Sequence, residues 1–260
     1  MSRCTHPRPP RLGFFRCLLA LLLAAVWWAA APAAGAGAQG ALEGYVRRES
    51  YLDYLARHEG APSPEIEIVI PAVSYTDATA RVERLVDAYG RPGEALWTDE
   101  TGYVEWTVDV PVAGLYSIEV VYYPAEGRGT AIEREIQING ETLFEGADLL
   151  VFHRVFGDAG PFLRDVVGNE IRPRQVEKPM WQTVFLSDSL GYVTRPFQFY
   201  FHEGPNTIRL IARSEPLVIA ELRLKQAPAP RPYRQALAEY ERLGYPKAQG
   251  DLIIIQGESA

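Results

Sequence analysis

Cysteine is almost missing from this 260-residue sequence: there are two, Cys4 and Cys17, and both stand in its first twenty positions. Everything downstream is therefore without disulfides and without thiol chemistry. A domain with no staples must be held by a hydrophobic core, and a composition that is 47% hydrophobic can build one. Histidine is also scarce. His6, His58, His153 and His202 stand apart with no ligand-like spacing, so no metal site is expected. No D-x-D-x-D-G calcium loop, phosphate-cradling glycine loop or G-x-S-x-G elbow occurs. The 33 acidic residues could pair anywhere. Without a motif to place them they are no sign of a glycosidase, and the chain is expected not to be an enzyme and to need no cofactor.

Acid is absent from the first 42 residues, where Arg3, Arg8, Arg11 and Arg16 supply the charge. An unbroken apolar run follows over 17–31, and then small residues from Pro32 to Ala38. This order predicts a signal peptide over 1–38, cleaved after Ala36 or Ala38. The run is too short for a comfortable membrane span, and Cys17 precedes it, so no lipidated cysteine would begin the mature chain. A secreted or cell-surface protein with no membrane insertion after cleavage is expected. Losing the four arginines takes the formal charge of −7 to −11, which does not suit nucleic acid or anionic membranes.

The rest of the chain alternates at period two. A helix is predicted over 41–58, with Tyr51, Tyr54 and Leu55 on one face, within an N-terminal helix-and-linker region 39–64 that Pro62 and Pro64 close. Strands are predicted at 65–70, around Val104–Val110, from Tyr116 to Tyr122, and from Ile132 to Ile138 ahead of the hairpin dipeptide Asn139-Gly140. Further strands are expected at 181–186, 197–201, 207–212 and 217–224. About eight short strands with turn signals between them mean an all-β sandwich over 65–226, with short flanking helices. The polar stretch 158–178 is expected to be a long loop. A stiff Pro-rich linker and a short amphipathic helix fill 227–249, and 250–260, with Leu252 to Ile255, is expected to begin a second domain.

Aromatic residues are the best functional clue. Trp97, Trp181 and Tyr192 sit at expected loop positions or strand starts, where a flat ring can stack on the C–H face of a sugar. The segment from Gly168 to Gln175 adds the planar polar groups of Asn169, Arg172, Arg174 and Gln175. If these converge they form a shallow, weak saccharide site. The plain alternatives are that Trp97 and Trp181 plug the sandwich, and that the arginines pair with Asp165, Glu170 and Glu177 to brace their loop. Trp106, inside an alternating strand, belongs to the core.

Residues 103–120, Y-V-E-W-T-V-D-V-P-V-A-G-L-Y-S-I-E-V, with Ile138-Asn139-Gly140 and the strand from Gly204 to Leu210, resemble carbohydrate-binding modules of the galactose-binding-like jelly-roll sandwich. The segments G-N-E-I-R-P-R-Q, G-Y-V-T-R-P-F-Q-F-Y-F and E-P-L-V-I also resemble the N-terminal regions of large extracellular solute-binding proteins of sugar-type ABC transporters. The resemblance implies a non-catalytic, glycan-binding or accessory domain, with downstream domains of a longer parent and an ABC permease as partners. A ligand-free spacer and an accessory module of a secreted glycoside hydrolase are the rival readings. Val218-Ile219-Ala220 stands where those modules usually end in an acid, so a structural calcium is not expected.

Overall fold

The computed structural model describes residues 48–245 and Gly250; the predicted signal peptide, the front of the predicted helix and the predicted strand at 252–255 lie outside the described residues. Sixteen strands run in chain order: β1 Ile68–Pro71, β2 Asp77–Ala78, β3 Val82–Val86, β4 Glu94–Thr98, β5 Tyr103–Val110, β6 Gly114–Pro124, β7 Ile132–Ile138 and β8 Leu150–Phe152. They continue with β9 Phe156–Asp158, β10 Leu163–Arg164, β11 Glu170–Ile171, β12 Gln175–Glu177, β13 Gln182–Phe185, β14 Gln198–Phe201, β15 Gly204–Ser214 and β16 Leu217–Lys225. Helix α1 covers Tyr51–Arg57 and α2 covers Tyr233–Arg242.

Two antiparallel sheets form the sandwich that the alternation predicts. In the seven-stranded sheet, β13 and β14 lie end to end along one edge of β6, and β16 pairs with its other edge. Strands β4 and β1 share the far edge of β16, and β3 closes beyond β4. The five-stranded sheet has the order β2-β5-β15-β7-β8. The side chains of Tyr116, Ile118, Val120 and Tyr122 on β6 meet Val104, Trp106, Val108 and Val110 of β5 in one core. Trp106 is fully buried and donates from Nε1 to the Ala72 carbonyl at 2.9 Å, which satisfies its single polar atom. Phe197, Phe199 and Phe201 are buried together. The Asn139-Gly140 turn has φ of 52° and 82°, the left-handed pair a tight hairpin requires.

The sequence reading misses several elements. Strands β2, β3, β4 and β8 are not anticipated, and β1 begins at Ile68 rather than residue 65. The expected loop over 158–178 is a two-rung hairpin arm, in which β9 pairs with β12 and β10 with β11. Its tip is tied by Asp165, whose carboxylate accepts from the N–H groups of Val167 and Asn169 at 2.9 and 2.8 Å. Strands of two and three residues carry no measurable period, so only this turn chemistry marked them.

Helix α1 is shorter than predicted, because Ser50 is its N-cap and accepts from the Asp53 N–H. Its two buried tyrosines have a polar task. The Tyr51 and Tyr54 hydroxyls accept the backbone N–H groups of Gln198 and Tyr200 at 2.9 and 2.7 Å. One helical turn thus pairs the free edge of β14, which a further strand would otherwise seek.

Candidate functional site

The outer face of the seven-stranded sheet carries a second, smaller apolar cluster, separate from the core: Ala95, Val121, Ala125, Val218 and Ala220, with Leu85, Trp97, Tyr123 and Trp181 packed on it. Register explains its shape. Tyr123 pairs with Val218, and Val218 with Trp97. Trp181 stands one step beyond the Gln182–Tyr122 pair, with its ring 5.5 Å from that of Tyr123. Trp181, Tyr123, Val218 and Trp97 therefore form one row across four strands, about 14 Å long at the usual strand spacing.

A loop lies over this row. Tyr89 stacks on Tyr123 with ring centroids 4.1 Å apart and planes 12° from parallel. The Arg91 guanidinium lies 5.5 Å from the Trp181 ring, and Arg81 lies 5.8 Å from that of Trp97. Asp87 and Tyr89 both hold positive φ, 51° and 52°. For a bulky tyrosine this backbone is costly, and such strain persists only where surroundings impose it. The loop is closed by two bonds between Asp87 and Gly93, one through each backbone and one through the Asp87 carboxylate, each 2.8 Å.

A charged strip continues from the aromatic row. Arg91 reaches Glu221 at 3.3 Å, Arg223 bonds Glu221 and also Glu119 at 3.1 Å, and Lys225 meets Glu119 at 2.7 Å. The bond to Glu221, ahead of the charge of that acid and of Glu119, holds the Arg223 guanidinium above its ordinary value. Burial, and then neighbouring Tyr89, push the Tyr123 phenol up. Three buried side-chain polar atoms among the described residues lack a hydrogen-bond partner: Trp181 Nε1, Arg223 Nε and Ser117 Oγ. All three lie on this outer face along β6, beside Tyr123, opposite Glu119, and at Ser117 itself. Among the described residues no group of three or more His, Cys, Asp or Glu is placed to hold a metal ion.

Of the residues singled out from sequence, Trp97 and Trp181 share this face. Neither plugs the main core, and Trp97 lies within β4 rather than in a loop. Tyr192 is 86% exposed and lines a different hollow, with α1 and the Pro-rich segment. Asn169, Arg172, Arg174 and Gln175 lie on the hairpin arm and do not join either tryptophan's cluster. Asn169 bonds Asp165 at 3.0 Å and Gln175 bonds Asp158, so both brace the arm. Arg172 and Arg174 do not: Glu170 is taken by Arg164 and Glu177 by Arg154, and neither Arg172 nor Arg174 makes an ion pair among the described residues. Tyr89, Tyr123, Arg81 and Arg91 are the members that sequence reading missed. Tyr123 could have been found from its place opposite in parity to the core-facing Tyr122; the loop residues had no such signal.

No family model matches the sequence, and no curated protein matches it. Among solved structures, it is similar to the C-terminal CBM6 domain of the marine laminarinase LamC from Zobellia galactanivorans, at 15% identity and a TM-score of 0.36, over 62% of this chain and 100% of that one. A native family 35 carbohydrate-binding module from Clostridium thermocellum matches at 15% identity and a TM-score of 0.34, over 62% and 99%. The module CBM6cm-2 of Cellvibrio mixtus lichenase 5A, solved with cellotriose, matches at 13% and 0.33, over 62% and 98%. The fold class stands on the strand pairing described above.

Proposed function

We propose that this chain is a non-catalytic glycan-binding module that holds a saccharide on the outer face of its seven-stranded sheet. The row of Trp181, Tyr123 and Trp97 under the strained Tyr89–Arg91 loop carries this reading. Rings supply stacking faces, and the unpartnered Trp181 Nε1 and the Arg91–Glu221 pair supply donors and acceptors for hydroxyl groups. Stacking is worth about 1 kcal/mol per ring, so affinity falls roughly between high micromolar and millimolar. The parent is read as an exported solute-binding protein of a sugar-type ABC importer, on the sequence motifs alone; the other domains of such a parent would distinguish it from a glycoside hydrolase.

One observation favours the spacer reading instead: Tyr89 and Arg91 already cover Tyr123 and Trp181. A glycan array followed by calorimetry on the mature chain separates the two. Binding that Trp181→Ala and Trp97→Ala each weaken at least severalfold supports the module. No saccharide bound at high millimolar concentration sinks it in favour of the spacer.

A further inference from the structure

The hollow that Tyr192 lines is a separate feature. Its walls are α1 (Leu52, Leu55), residues 192–196 and the Pro-rich segment 227–230, with Ser117 at its floor, and it measures about 570 Å³. That is the size of an ordinary small-molecule site. Two independent properties mark it. Its lining holds no acidic residue, although the chain carries 33 acids against 26 bases, and its one charge is Arg195. Arg195 is exposed and makes no ion pair among the described residues. Separately, Ser117 is 1% exposed and its hydroxyl has no partner. A buried hydroxyl without a partner is costly unless something completes it. Leucine side chains and proline rings supply an apolar wall, beside the neutral polar groups of Thr194 and Gln198.

We infer that this hollow binds a small carboxylate with an apolar body, the carboxylate held by Arg195 and accepting from the Ser117 hydroxyl, and the apolar part between α1 and the prolines. Charge sets the choice: an isolated guanidinium in an acid-free hollow favours an anion, and a guanidinium fork fits a carboxylate. The inference is independent of the glycan reading, since it uses no residue of the aromatic row.

Octanoate is the probe, with octylamine and 1-octanol as controls of equal length. Calorimetry on the mature chain should show octanoate binding at least tenfold more tightly than octylamine. Arg195→Gln should remove that preference and Arg195→Lys should restore part of it. Ser117→Ala should weaken octanoate severalfold without lowering the thermal midpoint, because it deletes a hydroxyl that has no bond in the free protein. Amide shifts on titration should centre on Tyr192 and Val193. Equal binding of octanoate and octylamine, affinity unchanged in both Arg195→Gln and Ser117→Ala, or shifts centred on the exposed valines Val166 and Val167 of the arm would each overturn the proposal.

Discussion

The two tyrosines of α1 give a sharp test of how the sheet edge is held. Tyr51→Phe and Tyr54→Phe each delete one hydroxyl and leave the ring packing intact, so the backbone N–H of Gln198 or Tyr200 loses its acceptor. A typical hydrogen bond contributes about 0.5–1.5 kcal/mol net, and a donor left dry costs roughly 1–3 kcal/mol. Tyr54 is the more buried, 1% exposed against 7%, and its bond is the shorter, 2.7 against 2.9 Å. Tyr54→Phe should therefore cost about 2 kcal/mol and Tyr51→Phe about 1 kcal/mol. The residues sit on one turn, so the double variant should cost less than the sum if α1 undocks as a unit. Urea unfolding measures this, and hydrogen exchange at Gln198 and Tyr200 should quicken selectively. Burial raises the Tyr54 phenol to about 12 despite the backbone bond from Tyr200. Its folded value exceeds its unfolded one, so its contribution is full below the unfolded value, near 10, and is lost as pH rises through the folded one. The alkaline limb of Tyr54→Phe should be the shallower. A Tyr54→Phe protein within about 0.3 kcal/mol of wild type, with unchanged exchange, would refute the edge-pairing argument.

The buried Glu215 accepts from the Thr130 hydroxyl, the Arg128 N–H and the Arg154 guanidinium, and these outweigh the upward push of burial to hold its carboxyl below the ordinary range. Its stabilising effect is present above the unfolded carboxylate value and lost as pH falls through the folded one, so Glu215→Gln should flatten the acid limb of a thermal-midpoint curve. Gly127→Ala would set a Cβ 2.0 Å from Glu215 Oε2, and the midpoint should drop because that carboxylate is pinned by Arg154. Trp106→Ala should cost about 3–5 kcal/mol in urea unfolding, whereas Trp97→Ala, outside the main core, should cost less than half of that.

How much of this was legible depended on the length of each strand. In β5 the period of two runs for eight residues, and in β6 it sets Tyr116, Ile118, Val120 and Tyr122 on the core face, long enough in each to fix the facing and to put Trp106 inside. Strands β9 to β12 are two or three residues each. No periodicity can emerge there, and the glycines and prolines around them imitate a loop. The site was half legible for a related reason. Trp97 and Trp181 could be suspected from residue type, but their neighbours are set by cross-strand register, which one strand's pattern does not contain. Tyr192 and the Arg172–Gln175 segment were grouped with them by composition, and topology takes them elsewhere.

The arrangement of the outer face turns on one residue of β16. Ahead of it, Leu217 and Ile219 point into the core and Val218 outward; beyond it, Leu222 and Leu224 point inward and Glu221 and Arg223 outward. The register shifts between Ile219 and Glu221, leaving Ala220 as the extra residue of a bulge. Without the bulge, but with Ala220 kept in the strand, the alternation would turn Glu221 and Arg223 into the core and their leucine neighbours into solvent, since a one-residue slip exchanges the faces of a strand. With it, Val218 carries the aromatic row, and Glu221 three residues later takes Arg91 from the covering loop. The small side chain of Ala220 fits where two successive residues crowd one side. The bulge thus joins the stacking row to the polar strip on a single surface, and deleting Ala220 should leave both faces of β16 as they are, because Glu221 would then follow Ile219 in simple alternation.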